Sequence, residues 1–144
     1  CKADYVEQVK KGKKVGADLY LRQFPVWFSF RGNTNVQLSM AQAALRVGKY
    51  LNRPPLVQAA AEQIHWLNGK NPFRQSLVTG NGKRYDFFYA VFPGTCVGQI
   101  PVGIQTKKNE DFPYWTAGNQ ATHREVWTTC TIKMMDICAE LLDY

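Results

Sequence analysis

The stretch NGKNPFRQSLVTGNG, Asn68 to Gly82, decides how the rest of the chain is read. Before it, apolar residues recur every three or four positions; after it, that rhythm stops for about fifty residues. Gly69 lies where a helix commonly ends on a left-handed residue, and Pro72 prevents the helix from resuming. Gly80 and Gly82 permit turns, which leaves Ser76 to Thr79 as a short apolar and hydroxyl run between two turns.

Toward the amino end, Leu56, Ala60, Ile64 and Leu67 predict a helix from Pro55, a residue suited to a first helical position, to Asn68. Asn52 to Pro54 form a turn. Upstream of it, Val36, Met40, Ala43, Ala44, Val47 and Leu51 predict another helix, capped by Asn33 or Thr34 and ending near Leu51. Two helices joined by so short a turn make an αα-hairpin. Residues 24–33, FPVWFSFRGN, are dense in aromatics and are expected to pack at a helix junction. Asp4 to Lys14 reads as an incomplete first helix with Tyr5, Val6 and Val9 turned inward.

Toward the carboxyl end, Phe73, Tyr85, Phe87, Phe88, Tyr89, Phe92, Phe112, Tyr114 and Trp115 are too many aromatics for a solvated linker, so a long ordered loop is expected. Short strands are expected at Phe87 to Val91 and near Ser76 to Thr79. A last helix is predicted from Glu125 to Leu142, with Trp127, Cys130, Met134, Ile137, Cys138 and Leu141 on one side. Thr122, three residues ahead of Glu125, matches a capping box.

A chain of 144 residues with 45% apolar and 13% aromatic side chains can bury one core as one domain. No run of eighteen apolar residues exists, so no membrane partner is expected. The net charge of +7 invites a nucleic-acid reading. However, Lys2, Lys10, Lys11, Lys13 and Lys14 gather at the amino end, the other cations are scattered, and no nucleic-acid motif accompanies them. A solvated basic face is the expectation, with no nucleic-acid partner. Cys1, Cys96, Cys130 and Cys138 show no C-x-x-C spacing, so neither a metal nor another cofactor is expected. Cys130 and Cys138 would lie roughly 12 Å apart along one helix and so cannot bridge; both read as buried small hydrophobes. A chain that begins with Cys1 reads as a processed product or a piece of a longer protein.

Gly69-Lys70-Asn71-Pro72-Phe73-Arg74-Gln75-Ser76-Leu77-Val78-Thr79-Gly80-Asn81-Gly82 resembles the G-R-N-P-x-x-x-S-[FY]-V-T-G-x-G segment of glycoside hydrolase family 9, the cellulase-like enzymes. Pro93-Gly94-Thr95-Cys96-Val97-Gly98 is similar to that family's proline-glycine loop, and Glu125-Val126 to its final Asn-Glu-Val. The likeness runs from about Phe28 to Leu142. It implies an all-α fold, part of an (α/α)6 toroid with long ordered loops and minor strands, in which residues 1–144 are the carboxyl-terminal part of a single catalytic domain whose amino-terminal part is absent. It further implies a secreted or periplasmic inverting glycosidase acting on a polysaccharide or oligosaccharide, completed by the remainder of the toroid from another chain or a missing segment.

The family's general acid corresponds to Glu125. A carboxyl in a helix's first turn among aromatics can be held protonated by burial, opposed by the helix dipole and Arg124. Arg84, Tyr85, Tyr114, Trp115, His123 and Arg124 are the expected substrate-binding residues, because sugars need flat apolar faces and planar polar groups. The family's catalytic base falls upstream of Cys1, so this chain alone is expected to be inactive. Its pattern also departs from the family. Lys83 to Asp86 stand where histidines bind sugar, and Thr116 stands where an aspartate is usual, with Asp111 a substitute only after a local shift. Alternatives are a polysaccharide lyase-like toroid acting on an acidic glycan, for which His123, Arg124, Arg84, Tyr85 and the basic charge would serve, or a non-catalytic carbohydrate-binding remnant.

Overall fold

The computed structural model describes residues 4–26, 32–85, 89, 96–115, 118 and 120–144. Trp27 to Arg31, Thr116 and all but Tyr89 of the expected strand at Phe87 to Val91 lie outside the described residues. The fold is mostly helical, with two small sheets.

The chain starts with helix α1 (Tyr5–Lys10), capped by Asp4, whose carboxylate accepts the Glu7 amide at 2.9 Å. The residue it buries is Gln8, while Tyr5, Val6 and Val9, expected inward, are exposed. On the buried side Arg22 donates to the Gln8 carbonyl. Strands β1 (Lys13–Lys14) and β2 (Tyr20–Leu21) follow as an antiparallel pair with Lys13 opposite Leu21.

Helices α2 (Thr34–Tyr50) and α3 (Pro54–Leu67) form the expected hairpin, and α5 (Thr128–Leu142) packs chiefly on α2. On α3 the inward residues are Val57, Ala60, Ile64 and Leu67, with Leu56 displaced to the rim. On α2 the buried face is Leu38, Ala41, Leu45 and Gly48, whereas Met40, Val47 and Leu51 of the expected stripe are exposed. The helix is apolar around more than half of its circumference, so periodicity alone admits two phases. The phase is set by Gly48, where a Cβ would come within 2.9 Å of Leu56 and 3.0 Å of Val57. Arg46 joins Asp136 and Glu140 at 2.7 Å each, and Lys49 donates to the Glu140 carbonyl at 2.9 Å, fixing α2 against α5 along their outer edges.

Helix α3 ends as Gly69 requires. Gly69 has φ of +111°, its amide bonds the Trp66 carbonyl and the Lys70 amide bonds the His65 carbonyl at 2.9 Å, the paired closure of a Schellman motif. Asn71, only 8% exposed, then spends its whole amide on the backbone: Nδ2 donates to Trp66 and Gln75 carbonyls at 2.8 and 2.9 Å, and Oδ1 accepts from Phe73 and Gln75 amides. Leu77 and Val78 enter the core, with the Leu77 amide on the Leu67 carbonyl at 2.7 Å. The run from Ser76 to Thr79 forms no strand; Ser76 alone makes a bridge, to Tyr85.

The long loop is therefore a core element. Ile100, Val102 and Ile104 are all nearly fully buried. Their segment gives its Val102 and Gly103 amides to the Glu125 and His123 carbonyls at 2.8 Å each. Its Val102 and Ile104 carbonyls accept the Thr34 and Asn33 amides at 2.9 and 2.8 Å. It thus runs between the start of α2 and the segment that precedes α5. Strands β3 (Gln105–Thr106) and β4 (Pro113–Tyr114) then pair antiparallel, Gln105 opposite Tyr114, and lead into the one-turn helix α4 (Ala121–Arg124).

Candidate functional site

Two side-chain groups surround the turn between α4 and α5. The first is built on β4 and α4. His123, 2% exposed, meets the rings of Tyr114 at 5.7 Å and Trp115 at 5.9 Å, both edge-on, and Arg124 lies 5.1 Å from the Trp115 ring centre. Lys107 stands over the outer side of Tyr114 at 5.4 Å. Gln105 Nε2 is 2.9 Å from His123 Nε2, a contact that fits a neutral ring with its proton on Nδ1. Burial lowers the imidazole pKa below its ordinary value, the Arg124 charge adds to this, and the Gly103 backbone opposes it.

The second group is Glu125 with Trp127. The predicted helix start at Glu125 is corrected: Glu125 ends α4 in extended conformation (φ −64°, ψ 133°) and α5 begins three residues later. The Thr122 capping box does not form. The reason is competition for backbone, since Glu125 pairs with Tyr89 and Val126 with Pro101, so the chain is drawn into short bridges before it can coil. Consequently Trp127, expected among the core residues of the last helix, sits 38% exposed ahead of it and donates its indole N–H to Glu125 Oε2 at 2.8 Å.

Of the expected site residues, Tyr114, Trp115, His123 and Arg124 are brought into mutual contact, with Glu125 next in the chain. Arg84 and Tyr85 are not part of that group: both are exposed, on the turn that pairs with Ser76. Gln105 and Trp127 are not among the expected site residues. Gln105 carries no sequence signal, and the helical spacing of Trp127 pointed to packing. Asp111 is committed elsewhere, since its carboxylate accepts the Gln23 and Phe24 amides at 3.0 to 3.1 Å and lies 3.5 Å from Arg22. It therefore anchors the segment after β2 and does not stand in for an aspartate at the site.

His65 lies on the surface of α3, 3.7 Å from Glu62. Among the described residues no group of three His, Cys, Asp or Glu side chains is arranged to hold a metal ion, and no helix is long and apolar enough to cross a membrane. Comparison of the chain with protein-family profiles, with curated proteins and with solved structures returned no match.

Proposed function

We propose that this chain is the carboxyl-terminal part of an (α/α)6 toroid that hydrolyses glycosidic bonds in a polysaccharide or oligosaccharide by inverting acid/base chemistry, outside the cytoplasm, with Glu125 as general acid. The observation that carries the reading is the pairing of Glu125 with a tryptophan that is still substantially exposed. The indole N–H orients the carboxyl group that would give its proton to the leaving oxygen, while the indole face offers a pyranose a flat apolar surface. Tyr114, Trp115 and Arg124 stiffen the turn that presents the acid.

Inversion also needs a carboxylate roughly 6.5 to 9.5 Å from the acid to take a proton from the attacking water. With Asp111 tied to the Gln23 and Phe24 amides, that base belongs to the remainder of the toroid. Apolar side chains exposed on two flanks, Met40, Val47 and Leu51 on α2 and Ile132 and Met135 on α5, support the existence of such neighbours.

In the protein that carries the complete toroid, Glu125→Gln should lower hydrolysis by about 10²- to 10⁴-fold, the usual contribution of a positioned acid. Turnover near that of the parent would remove Glu125 from the mechanism. A second reading, a lyase acting on an acidic glycan, draws on the neutral His123 lying against Tyr114 beside Arg124. It stands second because His123 is enclosed and its Nε2 is occupied by Gln105.

A further inference from the structure

An asparagine followed by glycine is open to attack of the glycine amide on the side chain before it, because glycine puts no side chain in the way. Two such pairs flank the run from Lys70 to Gly80: Asn68-Gly69 and Asn81-Gly82. Both asparagines are exposed. Their backbones differ. The Gly69 amide is spent on the Trp66 carbonyl at 3.2 Å, inside the closure that ends α3. Asn68 is fixed as well, its amide and its Nδ2 both donating to the Ile64 carbonyl at 3.0 Å. For the Gly69 nitrogen to reach Asn68 Cγ, the end of α3 has to open.

Gly82 is in the opposite state. Among the described residues its amide makes no hydrogen bond, and a Cβ built on it would meet nothing within 4 Å. The Asn81 amide bonds the Val78 carbonyl at 3.2 Å, and the Asn81 side chain is held by Nδ2 on Asn68 Oδ1, a contact between two exposed residues. The turn is suspended between fixed ends. Thr79 bonds the Gln99 carbonyl and the Gly98 amide at 3.0 and 2.9 Å, and the Ser76 amide bonds the Arg84 carbonyl at 2.9 Å. Residues 80–83 can therefore change covalently without opening the core.

We infer that Asn81 is a site of spontaneous covalent modification, deamidation through a succinimide, and that Asn68 in the folded protein is not. The Gly82 nitrogen gives its proton to solvent base and attacks Asn81 Cγ. As that N–C bond closes the imide ring, the Cγ–Nδ2 bond breaks, and Nδ2 takes up a proton and leaves as ammonia. Water then opens the ring at either carbonyl. One opening gives aspartate; the other gives isoaspartate, in which the main chain runs through the side-chain carbon and is one methylene longer. Nothing is oxidised or reduced. Either product replaces a neutral amide by a carboxylate, which lowers the net charge of +7 by one. It also removes the donor to Asn68 and sets a negative charge near the carboxyl end of α3, where that sign is unfavourable. Isoaspartate lengthens the link to Arg84 and Tyr85, so the exposed turn that bears them is the part of the molecule that alters with age.

The test is storage of the native protein at mildly alkaline pH, with samples drawn over time for cation-exchange chromatography and for peptide mapping by a fragmentation that separates aspartate from isoaspartate. A second portion is held unfolded in guanidinium chloride, where both pairs are equally open. The expected result is a less basic species in the native sample, traced to the peptide that carries Asn81 and containing both acids, while Asn68 stays an amide. In the unfolded portion Asn68 and Asn81 should convert at comparable rates. Asn68 should convert about tenfold or more slowly in the native protein than in the unfolded one, since opening the end of α3 breaks at least two hydrogen bonds of ordinary strength. Asn81→Gln, a change on an exposed turn, should suppress the early less basic species. Conversion of Asn68 as fast as Asn81 in the native protein would overturn the inference. So would an intact Asn81 after the unfolded portion has converted, a product free of isoaspartate, or the same less basic species from Asn81→Gln. The readout is independent of hydrolysis, so failure here leaves the role of Glu125 standing, and failure of Glu125 leaves this site standing.

Discussion

Replacing Gly103 by alanine should dislodge the turn that carries His123 and Glu125 without touching either. Gly103 has φ of +86°, where a side chain costs roughly 1 to 2 kcal/mol. A Cβ there would also fall 2.0 Å from Thr34 Oγ1, a contact that cannot persist. Overpacking of this kind adds about 1 to 3 kcal/mol, so a total loss of about 2 to 5 kcal/mol is expected. Thr34 itself is 1% exposed and its hydroxyl has no partner, so Thr34→Ala should be nearly neutral. In the double variant Thr34→Ala/Gly103→Ala the steric part should vanish and only the backbone part remain, giving a coupling of about 1 to 3 kcal/mol in a double-mutant cycle. Urea unfolding followed by circular dichroism measures all four species. A Gly103→Ala protein within about 0.5 kcal/mol of the parent, as for an ordinary surface change, or purely additive losses would refute the placement of the 102–104 segment across the start of α2.

Two further outcomes follow from buried titratable groups. His123 has a folded-state pKa below the unfolded value of about 6.5, so the unfolded chain takes up the proton first and stability should fall as pH drops from about 7 toward the folded-state pKa, then level off for this group. Thermal or urea midpoints between about pH 7.5 and pH 5 should show this slope, and His123→Gln should flatten it; an unchanged slope would mean the ring is not buried neutral. Burial pushes the Cys130 thiol up to about 11, and raises Cys138 less strongly, while Cys96 is exposed. Peptide mapping after thiol labelling at about pH 8 should find Cys96 modified quickly and Cys130 only on unfolding; prompt labelling of Cys130 in the folded chain would contradict the packing of α5.

The helical hairpin was legible because its signals are local. Three-residue and four-residue spacing on α3, Pro55 at its start and Gly69 at its end all point the same way, and the structure follows them, with the helix beginning one residue earlier, at Pro54. Which face of α2 turns inward was not legible, since Met40, Val47 and Leu51 are as apolar as Leu38 and Leu45, and only the close approach at Gly48 decides between them. The start of α5 misled for a different reason. Thr122-x-x-Glu125 has the composition of a cap, but the Val102 and Gly103 amides, about twenty residues earlier in the chain, claim the carbonyls of Glu125 and His123. Long-range backbone pairing of that kind leaves no periodic trace. The same pairing places Trp127 beside Glu125, so the feature on which the functional reading leans most is one that helical spacing had assigned to the core.

The central claim is tested most directly by following, by proton NMR, the anomeric configuration of the first product released from a neutral β-linked glycan by the protein bearing the complete toroid. Acid catalysis by Glu125 with a water activated on the opposite face predicts the α anomer first, appearing before mutarotation equilibrates it. The β anomer first, or an unsaturated uronate from an acidic glycan and no hydrolysis of the neutral one, would contradict it.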